Sequence, residues 1–272
     1  MDAPYQGAPD VHVLPSHLAL PGFGVLPINA YVLLAEEPVL IDTGVGIDGD
    51  EFIDALSSVI DPAKLRWIWL THDDADHTGS IERVMSLAPN ARLATAAFSA
   101  LRMGTWWPVP FDRVHAIRAG DQLHVGDRTL TAVAPPLYDN PMSTGLVDES
   151  TGSFFCVDSF GAILPEAVNH VSDVPPEMLA GGMIGWATSD SPWAHIVDRQ
   201  KFGDVLEGVR KLQPSNIFSS HLPAANGTSL DEFLKVLDMV PDAEPFMPPN
   251  HEEFAHLIAA MSEMQQQPAA AT

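Results

Sequence analysis

Short apolar runs, each closed by polar or turn residues, recur along much of the chain. They have the length of buried strands and lie at 38–44, 65–70, 91–97, 128–135, 153–158 and 216–221. The run at 65–70 is apolar on both faces, which is typical of a strand inside a covered sheet. Apolar residues at helical spacing follow two of these runs, over 50–60 and from Ile81 onwards. The pattern predicts an α/β protein with several strands that end in polar residues.

Helical patterns dominate the last third of the chain. Apolar residues form one stripe between positions 202 and 212. Ser229 with Glu232, and Asn250 with Glu253, make capping-box patterns ahead of further apolar stripes. We therefore expect a helix at 202–212 and C-terminal helices within 229–264, followed by a frayed tail.

Two long segments, 135–151 and 164–192, show no periodicity. Loops of that length in a compact domain are usually functional. No repeat, low-complexity linker or change of composition marks a domain boundary. We expect one domain over 1–272, with its core at about 11–225 and the C-terminal helices beyond it.

The charge and the cysteine count narrow the choice of partners and of sites. The chain has 36 acidic and 13 basic residues and a net charge of −23, which argues against nucleic acid and anionic membranes as partners. Cys156 is the only cysteine, so an intramolecular disulfide and a thiolate zinc site are excluded. We find no signal-peptide pattern and no apolar stretch near the roughly 20 residues of a membrane span, so a cytoplasmic location is expected.

Candidate ligands cluster directly after the strand predicted at 65–70, in the sequence "THDDADHTG". His72, Asp74 and Asp76 alternate, which places them on one side of an extended segment, and His77 follows. Asp73 is expected to point the other way. Two further strand ends carry ligand types, Asp158 in "CVDSFG" and His221 in "FSSHLP". Carboxylates and imidazoles that converge in this way need a compensating cation, so the pattern predicts a metal site.

These motifs resemble those of the metallo-β-lactamase superfamily. "THDDADHTG" is similar to its H-x-[H/E/D]-x-D-H signature, "FFCVDSFGA" to the segment of its bridging aspartate, and "IFSSHLP" to that of its final histidine. The resemblance covers roughly residues 11–225. It implies an αββα sandwich, in which two mixed sheets pack together between helices and two metals lie at one sheet edge.

The likeness is closer to the flavodiiron and oxygen-binding diiron branch, which uses a carboxylate where hydrolases usually place the second histidine. Asp74 fits that slot, and "VDSFG" and residues 191–223 resemble the same proteins. One departure is Asp139, at a position about 19 residues before the bridging aspartate where these families have a histidine. Either Asp139 ligates instead, or that half of the site is incomplete.

The resemblance implies a ligand set for two divalent cations. One metal would be held by His72, Asp74 and Asp139, the other by Asp76, His77 and His221, and Asp158 would bridge both. Four carboxylates balance the +4 of two divalent cations, whereas hydrolytic zinc pairs have more imidazole and keep positive charge to acidify water. Such oxygen-rich ligation favours iron, with manganese or zinc as alternatives.

Two functions follow from this set. The first is a diiron protein that binds or reduces O2 or a related oxidant; only 51 residues follow His221, so we expect no flavin bound by this chain and a separate electron-donor protein. The second is a hydrolase of esters, lactones, thioesters or phosphodiesters, which would use a metal-activated hydroxide with Asp76 accepting a proton. His195 is either a buried core histidine or a second catalytic group. The resemblance also implies a homodimer.

Overall fold

Two mixed β-sheets pack face to face in the computed structural model, which describes residues 1–20 and 22–266. The first sheet has seven strands in chain order: β1 Tyr5–Ala8, β2 Val11–Leu20, β3 Gly24–Leu33, β4 Val39–Ile41, β5 Trp67–Trp69, β6 Arg92–Thr95 and β7 Val114–Ala116. The second has six, which are β8 Gln122–His124, β9 Thr129–Val133, β10 Gly145–Asp148, β11 Ser153–Phe155, β12 Asn216–Ser219 and β13 Leu222–Asn226, in the order β13-β12-β11-β10-β9-β8.

Helices cover the outer face of each sheet. Those against the first sheet are α1 Gly49–Val59, α2 Ile81–Leu87 and α3 Ala97–Met103; those against the second are α4 Pro176–Asp190, α5 Arg199–Arg210 and α6 Leu230–Met239. The last helix is α7 His251–Gln266, in which residues 251–259 are largely exposed. The order of layers is thus α, β, β, α, and the predicted fold class is confirmed. None of the described helices is both long and apolar enough to cross a membrane.

Aromatic side chains fill the space between the sheets. Tyr31, Trp69, Phe155 and Phe218 belong to one buried cluster, in which the rings of Phe155 and Phe218 stack with centroids 5.0 Å apart. In β5, Trp69 faces this layer while Ile68 faces the helices on the outside. The strand is therefore apolar at every position because both of its faces are covered.

Strand direction brings several loops to one edge of the sandwich. β4, β5 and β6 are parallel neighbours, as are β11 and β12, so their carboxyl ends open on common edges. The two sheets are joined there by the Asn29 side chain, which donates to the carbonyls of Ser219 at 3.2 Å and Leu222 at 2.8 Å. The loops that follow these strands are consequently held close together.

Most of the predicted elements are present. Each of the six predicted strands contains a strand of the structure, and the helical stripe at 202–212 corresponds to α5. The capping box before α7 is formed, because the Asn250 N–H donates to Glu253 Oε2 at 2.8 Å and the Glu253 N–H donates to Asn250 Oδ1 at 3.1 Å. Most of the predicted frayed tail lies outside the described residues.

Three local predictions were wrong. The segment 164–192 is predicted to be a loop but contains α4, because glycines interrupt the apolar pattern of this helix. One of them, Gly182, permits a close approach to the neighbouring backbone, since a Cβ there would lie 2.2 Å from the Ile163 carbonyl oxygen. The segment 135–151 contains β10. The capping box of Ser229 is absent, because this residue ends a short 3-10 turn rather than capping α6 with its side chain.

Candidate metal centre

All seven predicted ligands lie on loops at one edge of the two sheets. His72, Asp74, Asp76 and His77 are in the connection from β5 to α2, Asp139 is between β9 and β10, Asp158 follows β11, and His221 is between β12 and β13. Their donor atoms form three overlapping groups, each within 4.8 Å. Residues that are up to 149 positions apart in the chain, His72 and His221, thereby come together.

The tighter half of the cluster contains two imidazoles. His77 Nε2 lies 3.2 Å from Asp158 Oδ1 and 3.6 Å from Asp76 Oδ2. His221 Nε2 lies 3.1 Å and 3.4 Å from the same two oxygens. Ligands at about 2.0–2.2 Å from a first-row cation are roughly 3.0–3.6 Å from one another. The four donors therefore have the spacing of one coordination shell.

In the other half of the cluster the donor atoms lie farther apart. His72 Nε2 lies 3.4 Å from Asp158 Oδ2, and 3.9 Å from both Asp74 Oδ2 and Asp139 Oδ1. Asp158 thus presents Oδ1 to one half and Oδ2 to the other. This is the arrangement that a bridging carboxylate requires.

Hydrogen bonds orient the histidines so that each Nε2 faces the cluster. Asp42 Oδ2 accepts from His77 Nδ1 at 2.8 Å and from the Thr71 hydroxyl at 2.9 Å. Because that hydroxyl proton is used, Thr71 Oγ1 can accept from His72 Nδ1, 3.2 Å away. Such partners fix the tautomer in which Nε2 carries a lone pair, as in metal-ligating histidines.

His221 is oriented in the same way by a backbone group. Its Nδ1 donates to the carbonyl of Pro27 at 2.8 Å, and the ring packs against Trp186 with centroids 4.6 Å apart. The Trp186 indole N–H also donates to the carbonyl of Asp158 at 3.2 Å. α4 therefore supports two candidate ligands, His221 and Asp158, through one side chain.

The cluster fits a pair of cations. His77 Nε2 and both carboxylate oxygens of Asp158 are buried and have no hydrogen-bond partner among the described residues. Leaving such groups unpaired costs about 1–3 kcal/mol each, and more for charged groups. Cations between the imidazole lone pairs and the carboxylates would satisfy all three atoms.

Charge interactions within the cluster shift the protonation of its members. Burial alone would raise the pKa of Asp158, but His72 and His77 outweigh it and hold that pKa well below its usual range. Burial would lower the pKa of His77, but Asp42 and Asp158 raise it well above the usual value. Burial, a hydrogen bond to Asp74 and the charge of Asp158 raise the pKa of Asp139 to about 8. A bound cation would replace these protons.

Asp73 points away from the cluster, as the alternation predicts. It pairs with Arg102 and accepts from the Ser99 hydroxyl at 2.7 Å. Asn140 donates to Asp74 Oδ1 at 2.9 Å and to Asp73 Oδ1 at 3.3 Å, and so links this ion pair to a candidate ligand. The Asp73–Arg102 ion pair therefore stabilises the loop that carries the candidate ligands.

The sequence patterns left two groups unnoticed. Asp42 was interpreted only as the end of a strand; its place directly after a buried apolar run is the signal that could have identified it. Asp190, the last residue of α4, has a carboxylate oxygen within 4.8 Å of oxygens of Asp139 and Asp158. It was missed because the helix that carries it was predicted as a loop.

His195 lies in the 3-10 turn Pro192–Ile196, outside the donor groups that the described residues form. Its Nε2 is buried and has no hydrogen-bond partner there. Its catalytic role stays a prediction.

Two mixed sheets between helices, with converging imidazoles and carboxylates at one edge, define an αββα protein with a candidate dinuclear metal centre. The sequence model of the metallo-beta-lactamase superfamily matches residues 23–158, which is half of the chain. The chain belongs to the metallo-beta-lactamase superfamily, and the resemblance seen in its motifs is confirmed.

Within the superfamily the chain is similar to flavodiiron proteins. It is 28% identical to the flavo-diiron protein FprA2 of Clostridium acetobutylicum over 130 residues, which are 47% of this chain and 32% of the relative. It is 26% identical to the nitric oxide reductase of Moorella thermoacetica over 148 residues, 54% of this chain and 37% of the relative. The chain therefore spans about a third of each of these relatives.

A solved structure shows the same fold. Rubredoxin oxygen:oxidoreductase from the anaerobe Desulfovibrio gigas superposes with a TM-score of 0.79 at 18% identity, over 89% of this chain and 62% of that one. The chain thus fits the metallo-β-lactamase core of flavodiiron proteins.

Proposed function

We propose that this chain is a non-haem diiron protein that binds or reduces O2 or a related small oxidant, with electrons from a separate donor protein. The observation that carries the proposal is the donor set, in which four carboxylates and three imidazoles converge. Its formal charge of −4 balances two divalent cations, and carboxylate-rich ligation favours iron or manganese over the imidazole-rich shells of zinc hydrolases. The flavodiiron relatives support iron.

The chain's own residues define the two positions. Asp158 would be shared by both metals, because each of its oxygens faces a different half of the cluster. His72, Asp74 and Asp139 would hold one metal, and Asp76, His77 and His221 the other. An iron pair, when bound, supplies the electron exchange that O2 binding or reduction requires.

The exposure of the proposed ligands supports the approach of a small molecule from one side of the centre. The three histidine side chains are at most 2% exposed, whereas those of Asp74, Asp76 and Asp139 are 31–39% exposed. The centre is therefore open to solvent on its carboxylate side and closed on its imidazole side. An opening of this kind admits a diatomic ligand to metals that are otherwise enclosed by protein.

The test is metal content, followed by O2 uptake. Protein expressed without added zinc and purified anaerobically is expected to contain about two irons per chain by mass spectrometry. Its optical spectrum should change on exposure to air, and it should consume O2 in the presence of a chemical reductant. Asp158→Asn, which has the same shape but weaker donors, is the matched control and should lose this consumption.

A different result would contradict the proposal. Two zinc ions that persist in protein from iron-rich medium, together with hydrolysis of an ester, lactone or thioester, would assign the chain to the hydrolases of the superfamily. Two irons without any response to O2 would retain the metal assignment and refute the oxidant chemistry.

A further inference from the structure

Asp190 is a carboxylate in an unfavourable place. It ends α4, where the partial negative charge of the helix C-terminus opposes an anion. It is half-buried, and one of its oxygens lies within 4.8 Å of oxygens of Asp139 and Asp158. Among the described residues no Lys or Arg lies within 4.0 Å of it, and its hydrogen bond is from the Ser191 hydroxyl at 3.0 Å. No Lys or Arg in the described part of the chain therefore neutralises this carboxylate.

The three carboxylates are held together by specific contacts rather than by chance proximity. The Trp186 indole ties α4 to the carbonyl of Asp158. Trp193, just beyond the helix, donates from Nε1 to the Tyr138 carbonyl at 2.6 Å and so holds the residue next to Asp139. The Ser159 hydroxyl both donates to the Leu137 carbonyl at 2.7 Å and accepts from the Leu137 N–H at 3.1 Å. These contacts hold the carboxylates of Asp139, Asp158 and Asp190 close together although their negative charges repel one another.

A second observation indicates a cation in this cluster. Both oxygens of Asp158 are buried and unpaired among the described residues, and its side chain is 2% exposed. The half of the centre that contains His72 has a single imidazole, and its donors are spaced at up to 3.9 Å, wider than in the other half. That half has room for one more ligand.

We propose that Asp190 is a ligand of the metal held by His72, Asp74 and Asp139, and that it completes the wider half of the centre. A cation there would offset the repulsion among the three carboxylates and the opposition of the helix C-terminus. The proposal rests on the metal pair of the proposed function, but not on its reaction with O2.

The test measures metal affinity in the full chain. Anaerobic titration of the metal-free protein with Fe2+ against a chromophoric chelator should resolve two affinities in the unmodified protein. In Asp190→Ala the weaker affinity should fall by about tenfold or more, the order of loss seen when a metal site is perturbed, while the stronger one is retained. Retention of the stronger site shows that the protein has folded. Asp204→Ala on the exposed side of α5 removes the same charge away from the centre and should change neither affinity.

Asp190→Asn keeps the shape of the side chain. If the alanine variant loses both metals, this variant tests whether Asp190 is a ligand. A folded Asp190→Asn protein with a weakened second site supports the proposal. Two metals bound with unchanged affinities in this variant would overturn the role of Asp190 and leave the proposed function intact. Fewer than two metals in the unmodified protein would overturn both.

Discussion

Asp42 offers a sharp test of how the centre is built, because it touches no metal position itself. Asp42→Asn preserves the size of the side chain. Asparagine can also adopt the backbone conformation at this position, because Asp42 has a φ of 58° and asparagine adopts the left-handed region readily. The change replaces one oxygen by an NH2 group. The atom facing His77 Nδ1 then becomes a donor instead of an acceptor.

The expected loss follows from the three hydrogen bonds that Asp42 accepts. The bond from the Thr71 N–H to Oδ1, 2.8 Å long, survives on the amide oxygen. Those from the Thr71 hydroxyl and His77 Nδ1 both end on Oδ2 and lose their acceptor. To avoid the clash of two donors, His77 must move its proton to Nε2, the atom that would bind the metal. Loss of such a supporting partner costs about 10- to 100-fold in metal affinity, or roughly 1.4–2.8 kcal/mol.

Anaerobic Fe2+ titration against a chromophoric chelator measures this loss. The affinity of the half with His77 should weaken by the stated factor, because His77 loses its acceptor directly. The affinity of the half with His72 should weaken less, because His72 depends on Asp42 only through the Thr71 hydroxyl. Asp148→Asn is the control, since Asp148 is equally buried and accepts from Ser150 and Thr151 but lies away from the ligands. It should lower the melting temperature and leave both affinities unchanged. Two unaltered affinities in Asp42→Asn would refute the tautomer argument.

Three other outcomes are expected. Asp158→Ala should remove both metals, and two metals per chain by mass spectrometry would show that it is no bridge. The pKa values of Asp139 and Asp190, about 8 and about 7, exceed the unfolded value of 3.8. Folding of the metal-free protein therefore takes up protons, so its melting temperature should fall as pH rises from 6 to 9; a rise would contradict these shifts. Gly79→Ala should destabilise the chain by about 1–3 kcal/mol in denaturant unfolding, because its Cβ would lie 2.2 Å from a backbone nitrogen. Gly203→Ala, in open space on α5, is its control and should not destabilise.

The patterns that predicted the fold are local ones. A strand covered on both faces, such as β5, leaves an apolar run, and polar residues at its end are visible in the sequence. The candidate ligands His72, Asp74, Asp76 and His77 could be found for the same reason, because their spacing is a property of one short segment. Asp158 and His221 were recognised by similar strand ends and by family resemblance. Their convergence, however, depends on the packing of two sheets.

What the sequence does not reveal are partners that meet only in the folded chain. Asp42 contacts His77 across 35 residues, and no periodicity marks that pair. α4 was missed because three glycines interrupt the pattern of its buried face, Leu179, Met183 and Ala187; one of them, Gly182, lies close to the backbone of Ile163. Asp190 was not identified as a candidate ligand, because it belongs to this helix. Missing a helix in this way also hides every side chain that the helix positions.

The two halves of the centre differ in how they are held, and that difference bears on their chemistry. The half with His77 and His221 has two buried imidazoles, whose Nδ1 atoms are fixed by Asp42 and by a backbone carbonyl, and one partly exposed carboxylate, Asp76. The half with His72, Asp74 and Asp139 has one buried imidazole and two partly exposed carboxylates. Rigid, neutral ligands hold a cation with fixed geometry, whereas exposed carboxylates can change their coordination as a small molecule enters. The half with two exposed carboxylates is therefore the side on which we expect an oxidant to approach, and we expect the half with two buried imidazoles to keep the metal pair in place.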